Sequence, residues 1–151
     1  MRSASLYFSI SADNFCFISS SEIFSGENIS IGNNCKINPD VFLNGRSGIT
    51  IGDNVTLSHG AKLISTGYDV EHWMETGERV HIDNKPIYIG DNCWIGTNAV
   101  IVGNVKIGSD VLIAPLTYVN FDVPDHSIVI GNPGRIIPRE NATKEYVCNR
   151  I

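Results

Sequence analysis

The chain has no basic run. Its 151 residues carry 11 Lys and Arg against 16 Asp and Glu, a net charge of −5, which argues against nucleic acid or an anionic membrane surface as the main partner. No apolar stretch approaches the ~20 residues that a membrane-spanning helix needs. Near the N-terminus Ser9, Ser11, Asp13 and Asn14 interrupt the apolar run, so no secretory signal peptide is expected. The four cysteines, Cys16, Cys35, Cys93 and Cys148, show no C-x-x-C spacing. Cys35 and Cys93 each follow an Ile-Gly-[Asn/Asp]-Asn string and read as buried thiols, not as a metal or disulfide framework. A cytoplasmic setting is the expectation. The Asn141-Ala142-Thr143 sequon carries no weight without a secretion signal.

What the chain does have is a beat of six. Ile89, Ile95, Ile101, Ile107, Ile113 and Val119 recur in strict register, although only about a quarter of the residues are aliphatic (21 Ile, 6 Leu, 12 Val). A period of six fits neither a helix nor a simple strand and signals a repeat. The residue two places before each is also small or apolar: Ile87, Cys93, Ala99, Val105, Val111 and Thr117. Side chains two apart in a strand share a face. Each hexad therefore predicts one short strand with an inward pair, followed by a turn. Gly90-Asp91-Asn92 and Gly108-Ser109-Asp110 supply residues that tolerate tight or left-handed backbone.

The beat extends upstream through Phe17, Ile23 and Ile29, slips by two, and resumes at Ile31, Ile37 and Leu43. A second slip at Asn44–Gly48 precedes Ile51, Leu57 and Leu63. The [IV]-x-I-G string starts at Ile29, Ile49, Ile87 and Val105; its last two copies lie 18 residues apart. That is three hexads, one coil of a three-sided solenoid in which each coil buries its face on the next. Between residues 65 and 86 the beat stops, in a polar excursion holding His72, His81 and Trp73. Insertions of this length in compact arrays usually carry function. The charged stretch 139–150 is expected to form a short helix or cap on the open end. The expected architecture is all-β: one domain over residues 1–151, with coils over about 17–131, the excursion at 65–86 and the cap at 132–151.

The hexads, the IGDNCWIG string (Ile89–Gly96), the DVP string (Asp122–Pro124) and the GNPGR string (Gly131–Arg135) together resemble the hexapeptide-repeat acyltransferases. Within that family the chain resembles the maltose, galactoside and polysaccharide O-acetyltransferases, over about residues 28–139. The resemblance implies a left-handed parallel β-helix, an exception to the right-handed crossover rule. It also implies a homotrimer with active sites in clefts between neighbouring subunits, and acetyl-CoA lying along the coils with no metal. A histidine would take the proton of an acceptor hydroxyl, which attacks the thioester; such a base typically supplies roughly 10²–10⁴ in rate. Donors must meet the oxyanion that forms, and basic side chains the coenzyme phosphates.

Carried over residue by residue, the family base falls just after Thr66-Gly67, where this chain has Tyr68. His72, four residues further on, and His81, nearer the return strand, are the two candidates to reach the same space, with Asp69 a candidate to orient either. Asn38, Asn44 and Tyr68 fall on the acceptor side; Asn44 stands near the family's acidic partner of the base but is not acidic. Trp94, Gly96, Thr97, Ala114 and Thr117 fall along the thioester and pantetheine arm, and Arg135 and Arg139 are candidates for the phosphates. Pro115 interrupts the family's G-A-G-S string and has no N–H to donate, and Val119-Asn120-Phe121-Asp122 lacks the usual lysine. Three other readings stay open: an N-acetyltransferase on an amino sugar, a trimeric scaffold that has lost catalysis, and a zinc hydratase on the same helix. The last needs three neutral histidines converging from adjacent subunits. It is disfavoured by His59 in a coil corner, by His126 beyond the last clean hexad, and by the GNPGR tail.

Overall fold

A computed structural model of the chain describes residues 9–10 and 16–142. Short strands stack into three parallel sheets that form the sides of a prism. Face A stacks Ser9–Ile10, Ile29–Ile31, Ile49–Ile51, Ile87–Ile89 and Val105–Ile107. Face B stacks Phe17–Ile18, Lys36–Ile37, Thr56–Leu57, Trp94–Ile95, Leu112–Ile113 and Ser127–Ile130. Face C stacks Glu22–Phe24, Phe42–Asn44, Lys62–Ile64, Val100–Val102 and Tyr118–Val119.

The six-residue beat is the core. Ile89, Ile95, Ile101, Ile107, Ile113 and Val119 are all buried, and so are their partners two residues earlier. Like stacks on like: Ile31, Ile51, Ile89 and Ile107 form one column, and Ile37, Leu57, Ile95, Ile113 and Val129 another. Leu43, Leu63, Ile101 and Val119 form the third. Each coil thus removes the apolar face of its neighbour from water, the term that drives solenoid stability. At the first coil Ile18, not Phe17, stands in register with Ile37.

The corners explain the Asn, Asp and Gly content. At the A–B edge Asn34, Asn54, Asn92, Asp110 and His126 all adopt left-handed backbone, with φ between 55° and 58°. Short polar side chains tolerate that conformation best. Here they also form a ladder, Asn34 Nδ2 donating to Asn54 Oδ1 (2.7 Å) and Asn54 Nδ2 to Asn92 Oδ1 (3.2 Å). Beside it, Asp53 Oδ1 accepts from the Asn33 N–H, Asp91 Oδ1 from the Asp53 N–H, and Asp125 Oδ1 from the Ser109 N–H. At the B–C edge the left-handed positions are Asp40, Gly60, Asn98 and Leu116. Among the described residues the C–A edge shows no such ladder, and both phase slips fall there, one in the turn Gly26–Asn28 and the other at Asn44–Gly48. The excursion leaves from the same edge, so that Ile87 stacks directly on Ile49 although the excursion separates them in sequence.

The end is capped by a strand. Arg135–Pro138 turns back and pairs antiparallel with Ser127–Ile130, and a 3₁₀ turn, Arg139–Asn141, follows. It covers a second apolar cluster of Ala114, Ile128 and Ile130 with Leu112, Ile137 and Ala142 packed on it. Of the span 139–150 expected as a helix, the described part is this 3₁₀ turn and Ala142; residues 143–151, and Cys148 with them, lie outside the described residues.

Candidate active site

The excursion is an ordered arm. Gly67–Tyr68 pairs antiparallel with His81–Ile82, and the helix α1 (Val70–Thr76) sits between the two strands. Asp69 caps α1, its Oδ1 accepting from the His72 N–H at 2.9 Å. Gly77 closes it in left-handed backbone (φ 77°), donating its N–H to Trp73 O at 2.8 Å. Both are ordinary helix start and stop signals. Thr76 Oγ1 donates to His72 O and accepts from the Glu78 N–H, and the Asp69 N–H donates to Val80 O. The return strand is tied to the preceding coil by Arg46 Nε and Asp83 Oδ1 at 2.8 Å.

The two histidines of the arm differ. His72 points its Nε2 inward: that atom is buried, has no hydrogen-bond partner among the described residues, and lies 3.8 Å from Glu78 Oε2. His81 is exposed. Its register partner is Tyr68, and the two rings stack with centroids 4.4 Å apart. His81 Nδ1 lies 3.4 Å from the hydroxyl of Thr66, which is buried. The Nδ1–H tautomer donating to Thr66 Oγ1 leaves the Nε2 lone pair free, as a proton acceptor requires. Thr66 was not singled out from the sequence, because only the strand pairing brings residues 66 and 81 together. Asp69 uses one carboxylate oxygen on the helix cap, and Asn44, at the root of the arm, accepts with Oδ1 from the Arg46 N–H at 3.2 Å.

A second group lies on the B–C edge. Asn38, Ser58, Gly96 and Ala114 form one column, each donating its backbone N–H to the coil above or below: to Leu57 O, Ile95 O, Ile113 O and Val129 O. The exposed Trp94 stands beside it on face B and donates Nε1–H to Ser58 Oγ at 2.9 Å. Asn38 Nδ2 donates to Leu57 O at 2.8 Å. One step outward runs a column of His59, Thr97 and Pro115, in which the first two accept through their carbonyls from Asn98 and Leu116; His59 and Thr97 are exposed. The sequence places His59 in a coil corner, and only the stacking sets it and Ser58 beside Thr97 and Gly96. Arg135 is in register with Ile130 at the end of the Ala114 column, whereas Arg139 lies at the other end of the capping strand, its N–H on His126 O. Neither arginine forms an ion pair among the described residues. Thr117 is buried, and its hydroxyl accepts from the Gly131 N–H.

The candidate residues therefore fall into two clusters on two edges. Tyr68, Asp69, His72, His81 and Asn44 gather at the C–A edge. Asn38, Trp94, Gly96, Thr97, Ala114 and Arg135 gather along the B–C edge. Thr117 follows Leu116 in the same B–C turn but is buried, and Arg139 belongs to neither cluster. Within one chain face C separates the clusters. Among the described residues no three His, Cys, Asp or Glu side chains converge as a metal-ligand group, and no helix is long and apolar enough to cross a membrane.

Comparison with known proteins bears on the family and the fold. Residues 86–120 match the family model "Bacterial transferase hexapeptide (six repeats)". The chain is 34% identical over 116 residues to a galactoside O-acetyltransferase of Escherichia coli, covering 77% of this chain and 56% of that protein. It is 37% identical over 126 residues to a serine acetyltransferase of Staphylococcus aureus, covering 80% and 53%. The chain spans about half the length of these curated relatives. A hexapeptide-repeat-containing acetyltransferase of Vibrio cholerae superposes with a TM-score of 0.72 at 32% identity, covering 81% of this chain and 68% of that one. Its complex with acetyl coenzyme A superposes with a TM-score of 0.71 at 29% identity, covering 82% and 69%. The fold is the left-handed parallel β-helix that the sequence resemblance implied, and the chain belongs to the hexapeptide-repeat acetyltransferases.

Proposed function

We propose that the chain is an acetyl-CoA-dependent O-acetyltransferase that acylates a hydroxyl of a sugar, as a free unit or in a surface-polysaccharide precursor, in a cytoplasmic homotrimer. The observation that carries the reading is the split of the site. One edge holds an arm with an exposed imidazole, the other a column with an exposed indole, a small-residue corner and an arginine at its end. Each is half of an acyl-transfer site, and only a second copy can bring the arm of one chain to the column of another. The arm also exposes Met74 and Val80, which a neighbour would remove from water.

In this reading acetyl-CoA lies along the B–C column. Trp94 walls the thioester, Gly96 and Thr97 meet the pantetheine arm, and Arg135 meets a phosphate; Pro115 removes one backbone donor. His81 serves as the general base. Its Nε2 accepts the proton of the acceptor hydroxyl as the oxygen attacks the thioester carbonyl, and the tetrahedral oxyanion collapses with expulsion of the coenzyme thiolate. The imidazolium returns its proton to that sulfur. Thr66 holds the tautomer and Tyr68 the ring plane. His72, with Nε2 turned inward, is less suited to the task.

The test compares His81→Ala, His72→Ala and His59→Ala for coenzyme A release with a panel of sugars, with a thermal shift on acetyl-CoA as binding control. Loss of roughly 10²-fold or more in His81→Ala alone, with cofactor binding kept, is the expected result. An unchanged rate in His81→Ala overturns the base assignment, and a wild-type chain that does not bind acetyl-CoA overturns the whole reading. Binding without turnover across the panel is the signature of a trimeric scaffold, which Tyr68 at the family's base position and Pro115 favour.

A further inference from the structure

The arm carries an open cleft of about 330 Å³ between the hairpin and α1, lined by Tyr68, Val70, Trp73 and Arg79. We propose that this cavity is the acceptor subsite and that it takes the ring of a monoanionic pyranoside, a uronic acid residue, with Tyr68 and Trp73 against the ring and Arg79 on the carboxylate. The proposal deepens the acceptor side of the acetyltransferase reading and rests on it for the reacting hydroxyl; binding of the glycoside itself does not need acetyl-CoA.

The lining dictates the chemistry. Tyr68 and Trp73 are each about half exposed at 50% and 47%, and they present the flat, electron-rich faces that attract the polarised C–H groups of a sugar ring. The volume sits at the lower end of small-molecule pockets, roughly 300–1,000 Å³, which suits one ring. Arg79 forms no ion pair among the described residues, and a guanidinium fork matches a carboxylate with two parallel hydrogen bonds.

The surrounding charge sets the limit. The excursion carries Asp69, Glu71, Glu75, Glu78 and Asp83 against Arg79 and Lys85. None of the acids lines the cavity, yet their field opposes a phosphate of about −1.5 to −2 more than a single carboxylate. The cavity is also preformed. The backbone of its walls is fixed by the 67–68 and 81–82 strand pair, the Asp69 cap and the Gly77 closure, so the ordering cost of binding falls on exposed side chains, Arg79 above all. A ring lying on Tyr68 would be held against the residue whose own ring stands 4.4 Å from the His81 imidazole.

The experiment titrates the full chain, without acetyl-CoA, with methyl glucuronoside, methyl galacturonoside, methyl glucoside and glucose 1-phosphate. Saturation-transfer NMR identifies the bound ring and calorimetry gives the affinity. A preference of about tenfold or more for a uronoside over the glucoside is expected, as one charge-assisted contact supplies. Arg79→Gln is expected to remove that preference while leaving the weak glucoside binding unchanged, and Trp73→Ala to weaken both. Raising the salt to about 0.5 M on the wild type must shrink the preference, a readout that stands even if a variant fails to fold. Equal binding of uronoside and glucoside, tighter binding of glucose 1-phosphate, an intact preference in Arg79→Gln, or no glycoside binding at all would each overturn the proposal. A parallel acetyl-CoA thermal shift keeps the two claims apart: uronoside binding without acetyl-CoA binding leaves the subsite standing and sinks the transferase.

Discussion

Replacing Gly96 by alanine sets two explanations of one residue against each other. The family resemblance puts Gly96 on the pantetheine arm; the stacking gives it a duty to the next coil. A Cβ built there would stand 2.6 Å from Pro115 N, 2.7 Å from the Ala114 carbonyl carbon and 2.7 Å from Ile113 O. All three are backbone atoms, so no side chain can swing aside, and ordinary contact begins at 3.4 Å. The neighbouring coil must retreat by about 0.8 Å, which costs ~1–3 kcal/mol as overpacking. The same movement stretches the Gly96 N–H to Ile113 O bond, now 2.8 Å, for a further ~1 kcal/mol. At ~2–4 °C per kcal/mol for a chain of this size, Gly96→Ala should melt roughly 4–16 °C below wild type. Gly67→Ala, where a Cβ meets nothing within 4 Å, is the control and should melt with wild type. The measurement is thermal unfolding with and without acetyl-CoA. If Gly96→Ala melts like wild type and loses only the acetyl-CoA shift, the coil-packing argument is wrong and the glycine serves the ligand alone.

Two more outcomes follow from single contacts. Asp69→Ala should remove the α1 cap, worth ~1 kcal/mol, and loosen the arm without loosening the prism. Hydrogen exchange should therefore quicken at the amides of His72, Trp73 and Gly77 while Ile95 keeps its protection, and unchanged exchange in the arm would show that the cap does not hold it. Burial pushes the thiols of Cys35 and Cys93 up from 9.0 to about 11. The fold thus keeps protons that the unfolded chain releases above pH 9. The linked stability is intact below the unfolded value and is lost as the pH rises from about 9 to 11. Melting curves across that window should fall more steeply for wild type than for Cys35→Ala/Cys93→Ala, and equal slopes would mean that the thiols are not protected as their burial requires.

The prism was legible because its physics is local and repeated. Ile95 and Ile113 show the period directly, since a residue that must stack on its counterpart one coil away recurs at a fixed interval. Cys35 and Cys93 were readable as buried thiols from their place after the Asn corner, and both are buried and free. The arm was less legible. Asp69 and Gly77 carry helix start and stop signals, but seven residues between them give no apolar period strong enough to call α1 against a loop. The pairing of Thr66 with His81 and of Tyr68 with His81 depends on the hairpin register, which no repeat encodes. The terminal strand Arg135–Pro138 was missed because its partner strand, Ser127–Ile130, is buried along its whole length and shows no alternation to match.

The three edges of the prism are not equivalent, and that decides where its chemistry can vary. The A–B edge is locked by side-chain ladders from Asn33 and Asn34 to Asp125, and an insertion there would break hydrogen bonds in every coil it touched. The B–C edge is locked by close packing of the kind Gly96 shows. At the C–A edge Gly45 packs closely on Ser25 and Ile29, and Ser65 Oγ accepts from the Ser47 N–H and donates to Asn44 O, but among the described residues no ladder runs through successive coils, and both two-residue slips and the whole excursion leave from it while Ile49 and Ile87 still stack in register. An arm rooted there can change in length and lining at little cost to the coils. A column on the B–C edge cannot, which suits it to a ligand part that stays the same from one relative to the next. In an assembly of several chains, the arm of one would meet the column of another, joining a freely variable acceptor wall to a fixed donor track. On the acceptor proposal made above, Arg79 and Trp73 would then set which hydroxyl is presented, without altering how the thioester is held.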